Sequence, residues 1–191
     1  MGRRVRDFLV DRRVRLSVVI CLLVVGLNLA LGQLPHAFYN YRDPVAIMGL
    51  LSLVAGLALR SWAAGILLKG KALTTIGPYG MCRHPLYLGT TLIVTGIAII
   101  FPGFINSLPA LAALALIFGL TIRREEQRMA NKYGTAWDAY AARTPRIVPR
   151  LPETFLQGWS VAQWRRSREY NALLAATALL ISFAVWSELV R

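Results

Sequence analysis

The sequence predicts an all-α integral membrane protein, a helical bundle of about five transmembrane helices. Three observations carry this. Of the 191 residues, 56% are hydrophobic and only 16% charged, and the charges leave long uncharged runs between them. The longest, Pro85 to Ile122, is 38 residues without Asp, Glu, Lys or Arg. Threaded through these spans, the chain puts 20 of its 22 Lys and Arg on one side and leaves only Arg42 and Arg191 on the other. Cytoplasmic loops of membrane proteins carry this excess of cations. The asymmetry accounts for the formal charge of +13 without a nucleic-acid partner, and such a face also suits anionic lipid headgroups.

The elements follow in order. Residues 1 to 15 carry six Arg against Asp7 and Asp11. They read either as a basic flank that sets topology or as a surface helix with Val5, Phe8, Leu9 and Leu16 on one face. Leu16 to Leu34 is the first span. Ala30-Leu31-Gly32 has the form of a signal cleavage site, but the apolar region exceeds the ~7–15 residues of a signal, so retention is expected. Pro35 to Asp43 is a polar turn with His36, Tyr39, Tyr41 and Arg42. Pro44 to Trp62 is the second span, with Arg60 and Trp62 as interface anchors. Its small residues Gly49, Ser52, Ala55, Gly56 and Ala58 suit close helix packing. Residues 1–62 thus form an N-terminal unit, 63–152 a central one and 153–191 an extension.

Lys69, Lys71 and Arg83 mark the next loop as cytoplasmic. The uncharged run is too long for one span and short for two. The breaker Phe101 to Pro109 divides it into a hairpin of helices at about 86–101 and 108–122. Arg123 to Arg143 reads as a helix leaving the membrane, with an apolar stripe of Met129, Tyr133, Trp137 and Tyr140 and a candidate bend at Gly134. Pro145, Pro149 and Pro152 make the following segment an extended strap. Trp159 and Trp164 suit the membrane interface, and Tyr170 to Ser187 is a fifth span that leaves the C-terminus outside.

The chemistry concentrates between Gly77 and Gly89, where Gly77-Pro78-Tyr79-Gly80 is turn sequence and Arg83-His84-Pro85-Leu86-Tyr87 opens an apolar helix. Pro85 fits the first helical position. Arg83 and the free N–H groups there can hold an anion, and His84 can donate, accept or carry charge. Glu125 and Glu126 follow the end of the uncharged run. Either they face a ligand's ammonium or hydroxyls, or they pair with Arg123, Arg124 and Arg128 in a solvated helix start; residue types alone lean to the second. Cys21 and Cys82 show no disulfide or metal spacing, and the distance in sequence between His36 and His84 argues against a zinc site.

These stretches, with Tyr133-Gly134, Tyr140 and Pro145-Arg146-Ile147-Val148-Pro149, resemble the isoprenylcysteine carboxyl methyltransferase family and the related membrane phospholipid methyltransferases. The resemblance covers about residues 60 to 150. It implies a membrane enzyme that uses S-adenosylmethionine as cofactor in a cytoplasmic pocket. Carried over, the cofactor-binding residues are Lys71, Ala72, Leu73, Thr74, Tyr79, His84, Pro85, Leu86, Tyr87 and Glu125. Arg83 and Glu126 are the catalytic candidates, with Glu126 the alternative cofactor ligand. The family's substrate-binding Arg falls here at about Thr121, so Arg123 and Arg124 stand in for it, which puts a prenylcysteine carboxylate in question. The resemblance further implies a lipophilic or lipidated acceptor and a bacterial inner membrane location. The C-terminal extension is not part of the pattern. A membrane reductase akin to sterol reductases and a non-catalytic membrane protein are the competing readings.

Overall fold

A computed structural model of the chain describes residues 13–33, 43–68, 72–101, 103–150 and 158–189. Eight helices occur among them: α1 (Arg13–Ala30), α2 (Pro44–Ile66), α3 (Pro78–Met81), α4 (Pro85–Ile100), α5 (Phe104–Tyr133), α6 (Thr135–Arg143), α7 (Val161–Arg166) and α8 (Tyr170–Leu189). No strand is found among the described residues. Two helices, α2 and α5, are long and apolar enough to cross a bilayer. Helices α1, α4 and α8 contribute the shorter apolar stretches Val18–Ala30, Pro85–Ile100 and Tyr170–Trp186. The all-helical membrane fold is therefore supported, with full-length spans at two of the five expected places. The basic segment 1–12, the turn around His36, and Lys69, Lys71, Pro102 and Pro152 lie outside the described residues.

Local chemistry sets the helix starts. Asp43 caps α2, its carboxylate accepting from the N–H groups of Val45 at 3.0 Å and Ala46 at 3.1 Å, with Pro44 at the first position. Gly77, at φ 58°, takes a left-handed turn into α3. Between the hairpin helices the turn is shorter than expected, because α5 begins at Phe104 and not near residue 108. Pro109 lies inside α5, where it withholds one N–H from the helix ladder without ending it. At the other end α5 runs on to Tyr133, and Gly134, at φ 52°, breaks it from α6. That break disperses the expected stripe: Trp137 and Tyr140 are buried, but Met129 is exposed.

Helices α2 and α4 run antiparallel with their backbones in contact. A Cβ on Gly56 would stand 2.5 Å from the Gly89 carbonyl oxygen, and one on Gly96 would stand 2.6 Å from that of Gly49. Both pairs are seven residues apart, so the glycines of each helix face those of the other along one seam. Ser52 adds a hydrogen bond to the Leu92 carbonyl at 2.9 Å. Of the small residues expected to pack, Gly49, Ser52 and Gly56 do so, whereas Ala55 and Ala58 face outward, because they lie off this stripe.

Around this pair the core has two parts. Val25, Leu53, Ile97, Ile100, Phe101 and Phe183 join α1, α2, α4 and α8, with Phe101 and Phe183 edge to face at 5.3 Å. Ile20, Val94, Leu114, Ile117, Phe118 and Ile122 join α1, α4 and α5. A fully buried Asn28 also donates to Ser107 Oγ at 3.2 Å, tying α1 to α5. Large apolar side chains such as Leu22, Leu51, Leu116 and Ile181 cover the outside, as suits lipid contact.

Arg60 departs from its expected role as an interface anchor. Its guanidinium turns inward to Glu169 at 2.6 Å and to Thr90 Oγ1 at 2.5 Å. With Glu169 and Thr90 accepting its N–H groups, the inward guanidinium has the partners that a charge removed from water requires. Gly96→Leu is expected to force the α2–α4 seam open and to lower stability by about 1–3 kcal/mol or more; an unfolding midpoint in detergent equal to that of the unaltered chain would contradict this packing.

Candidate functional site

The N-terminus of α4 and the middle of α5 meet at Glu126. Helix α4 opens with His84 as its cap residue and Pro85 at its first position, which turns Arg83 and His84 toward α5. Because α5 overshoots the apolar run, Glu125 and Glu126 arrive beside them as part of a continuous helix. His84 Nε2 lies 3.3 Å from Glu126 Oε1, and His84 Nδ1 lies 4.0 Å from Glu125 Oε2. Arg83 Nε is 3.2 Å from Glu126 Oε1. Arg146 completes the set with a two-pronged contact, its Nε donating to Glu126 Oε2 at 3.0 Å and its terminal nitrogen at 2.6 Å.

The extended strap after α6 brings Arg146 here. The Arg83 N–H donates to the Pro145 carbonyl at 2.9 Å and the Arg150 N–H donates to the Met81 carbonyl at 3.1 Å. Strap and loop thus hold each other by backbone bonds. The Tyr140 hydroxyl donates to the Tyr79 carbonyl at 2.7 Å, so α6 fixes the turn from the other side. Arg83 also lies over the Trp137 ring, 5.9 Å from its centre. The sequence places Arg146 within a motif but marks no role for it; the Pro residues on either side, which force the strap to be extended, are the available signal.

The other candidates divide clearly. Tyr87 stacks edge to face with His84 at 5.7 Å and with Phe118 at 4.8 Å. Tyr79 is buried and its hydroxyl has no hydrogen-bond partner among the described residues. Pro85 is buried, and the Leu86 carbonyl accepts from Thr90 at 2.9 Å. Thr74 accepts from the Leu68 N–H at 3.2 Å, while Ala72 is exposed and Leu73 half-buried. Lys71 lies outside the described residues. Arg123 is exposed and Arg124 half-buried. An open cleft of about 430 Å³ is lined by Arg123, Glu126, Gln127, Ala130, Trp137 and Arg146. It lies beside Glu126, not between Glu126 and His84, whose side chains are already in contact. Thr121 is fully buried and bonds its own helix at the Ile117 carbonyl, 2.7 Å away.

Burial dominates the protonation of His84. It pushes the imidazole down to about 4, although Glu126 pulls the other way; Arg83 and Arg146 add to the depression. Burial works against the ionised Glu126 too, but the hydrogen bond from Arg146 and the charges of Arg83 and Arg146 hold its carboxyl below the usual range. The site at neutral pH is therefore a carboxylate clasped by two guanidiniums beside an uncharged imidazole. Burial also lifts the neighbouring Cys82 thiol to about 11, so it stays protonated.

Protonation gives this site an acid-sensitive signature. In the unfolded chain His84 takes up a proton near its ordinary value of 6.5, and in the folded chain only near 4. Its contribution to stability is complete above the first value and is lost as pH falls toward the second. Glu126, depressed in the folded state, adds a loss of the same sign below the ordinary carboxyl value of 4.5. The unfolding midpoint of the unaltered chain should fall between these pH values, and His84→Gln should flatten that decline. An imidazole titration by NMR that shows His84 charged at pH 6 would contradict the burial argument.

Comparison with known proteins covers the stretch that carries Arg83, His84 and Glu126 and ends before Arg146. The model of the phospholipid methyltransferase family matches residues 45–136, which include α4, the loop before it and Glu126. The nickel-cobalt-cadmium resistance protein NccN of Alcaligenes xylosoxydans is 31% identical over 147 residues, 73% of this chain and 63% of that protein. The cobalt-zinc-cadmium resistance protein CzcN of Cupriavidus metallidurans is 31% identical over 160 residues, 79% of this chain and 70% of that protein. The protein-S-isoprenylcysteine O-methyltransferase of Schizosaccharomyces pombe is 27% identical over 84 residues, 44% of this chain and 36% of that protein. The chain thus spans less than two thirds of NccN and slightly more than two thirds of CzcN. No solved structure matches it. By its match to the family model and its identity with CzcN along most of both chains, this chain belongs to the phospholipid methyltransferase family, together with the isoprenylcysteine carboxyl methyltransferases.

Proposed function

We propose that this chain is an S-adenosylmethionine-dependent methyltransferase that acts on a lipophilic or membrane-associated acceptor carrying a carboxylate, thiol or amine. The observation that carries the reading is the convergence of Arg83, His84, Glu126 and Arg146 where α4 begins, within a family of methyltransferases. The chemistry of the donor set fits the cofactor. S-adenosylmethionine carries an ammonium, a carboxylate, two ribose hydroxyls and an adenine. Glu125 and Glu126 suit the ammonium or hydroxyls, Arg83 and Arg146 suit the carboxylate, and the Tyr79 hydroxyl, without a partner among the described residues, suits a further hydrogen bond.

The cofactor supplies an electrophilic methyl group when bound. The chain's own part is binding, alignment and exclusion of water. The neutral His84 can donate or accept one hydrogen bond without adding a charge, and Tyr87 and Phe118 keep its ring in place. An ionised carboxylate or thiolate acceptor requires no strong base. Arg146, with half its side chain exposed, is the Glu126 partner best able to move aside for a ligand. Arg123 at the rim of the cleft suits an anionic acceptor. In this reading the helices make five spans, the N-terminus and the site face the cytoplasm of a bacterium, and the acceptor approaches from the bilayer.

Calorimetry on the full chain in nanodiscs tests the reading. Adenosylhomocysteine should bind and a reduced dinucleotide should not, and His84→Ala or Glu126→Gln should weaken binding by about tenfold or more, the scale of a lost charge-assisted contact. Binding of the dinucleotide alone would transfer the site to a reductase, and unchanged affinity in both variants would remove these residues from it. Labelled cofactor incubated with membrane lipids, small thiols and carboxylates then identifies the acceptor.

A further inference from the structure

The C-terminal extension lies beyond the stretch that matches the family model, yet it closes over the end of α2. The Ser160 N–H donates to the Gly65 carbonyl at 3.0 Å. Gln163 donates to the Leu67 carbonyl at 2.7 Å, Ser167 to that of Ala64 at 3.3 Å, and the Trp159 indole to that of Ser61 at 3.3 Å. A helix end leaves its last carbonyls without partners; here a segment about a hundred residues downstream supplies them. Gly158 reaches Ile76, where a Cβ would stand 3.2 Å from the Ile76 Cδ1.

These contacts lead to both banks of the proposed cofactor site. On one side, Leu67 and Leu68 continue into the segment 72–79, and the Leu68 N–H is held by Thr74. On the other, Glu169 is buried and holds Arg60 in a two-pronged contact at 2.6 and 3.2 Å. Arg60 in turn bonds Thr90 at 2.5 Å and reaches the Leu86 carbonyl at 3.5 Å. Leu86 belongs to the Arg83–Tyr87 run, so one acid in the extension steadies the start of α4.

We propose that residues 158–169 are a positioning element that fixes the segment 72–79 against the start of α4, with Glu169 and Gln163 as its two principal contacts. The proposal rests on the methyltransferase reading for the ligand that this segment holds. It assigns to the extension a role in cofactor affinity and none in the transfer step. Glu169 and Gln163 act through Arg60 and the Leu67 carbonyl and do not touch the reacting atoms.

The test uses the full chain in nanodiscs and two variants, Glu169→Gln and the milder Gln163→Ala, with Leu174→Ala on the exposed face of α8 as control. Hydrogen exchange at the amides of residues 72–80 should accelerate by about tenfold in both variants and not in the control. The dissociation constant for adenosylhomocysteine and the KM for the cofactor should rise by about tenfold, with kcat kept, because order in the binding segment is lost before ligand arrives. Glu169→Asp should recover most of the affinity. Unchanged exchange in both variants, or a fall in kcat at constant KM, overturns the proposal, and if Glu169→Gln fails to fold, Gln163→Ala decides. A wild-type chain that binds no adenosylhomocysteine refutes the methyltransferase reading, and the exchange data then judge the positioning role by themselves.

Discussion

A carboxylate taken out of water must find its hydrogen-bond donors within the fold, and Glu126 is where this chain meets that demand. Its side chain keeps 12% of its exposure and is met by Arg83, His84 and Arg146. The partners come from two pieces of backbone: the loop that ends in the cap of α4, with Arg83 and His84, and the strap beyond α6, with Arg146. The long reach of α5, the proline-stiffened strap and the turn at Gly77 all serve to bring them to one place. Removing any one of these pieces leaves a half-buried charge short of donors.

The helices beneath this cluster are held by two different means. Between α2 and α4, glycines let backbone meet backbone, and side chains such as Ile93 and Ile100 pack directly onto the glycines of α2. Around α4 the contacts are conventional apolar packing, with aromatic edges at Phe101, Phe183 and Phe118. The first arrangement fixes the register of α4 against α2. The second fixes its rotation, and with it the direction in which His84 and Tyr87 face.

Much of this was legible in the sequence, for identifiable reasons. Long uncharged runs and the His84-Pro85 and Gly134 signals located the helices, since caps and breakers act through nearby atoms. The Arg83-His84 run and the Glu125-Glu126 pair could be named as partners because their resemblance to a family supplied the tertiary pairing that residue types leave open. What stayed hidden was nonlocal. Arg60 at the end of an apolar helix reads as a headgroup anchor, and only the fold reveals Glu169 opposite it. Pro109 reads as a breaker, and only the helix around it shows that one missing hydrogen bond was tolerated. Arg146 stood in plain view in the strap, but nothing in the spacing told which carboxylate it would meet.

The glycine seam has a bearing on traffic from the bilayer. Where the backbones of two helices touch at glycines, an acyl chain cannot wedge between them without breaking that contact. A greasy molecule drifting in the leaflet finds this flank shut. The flanks walled by flexible side chains, where rotamers can swing and reset, are the ones able to part.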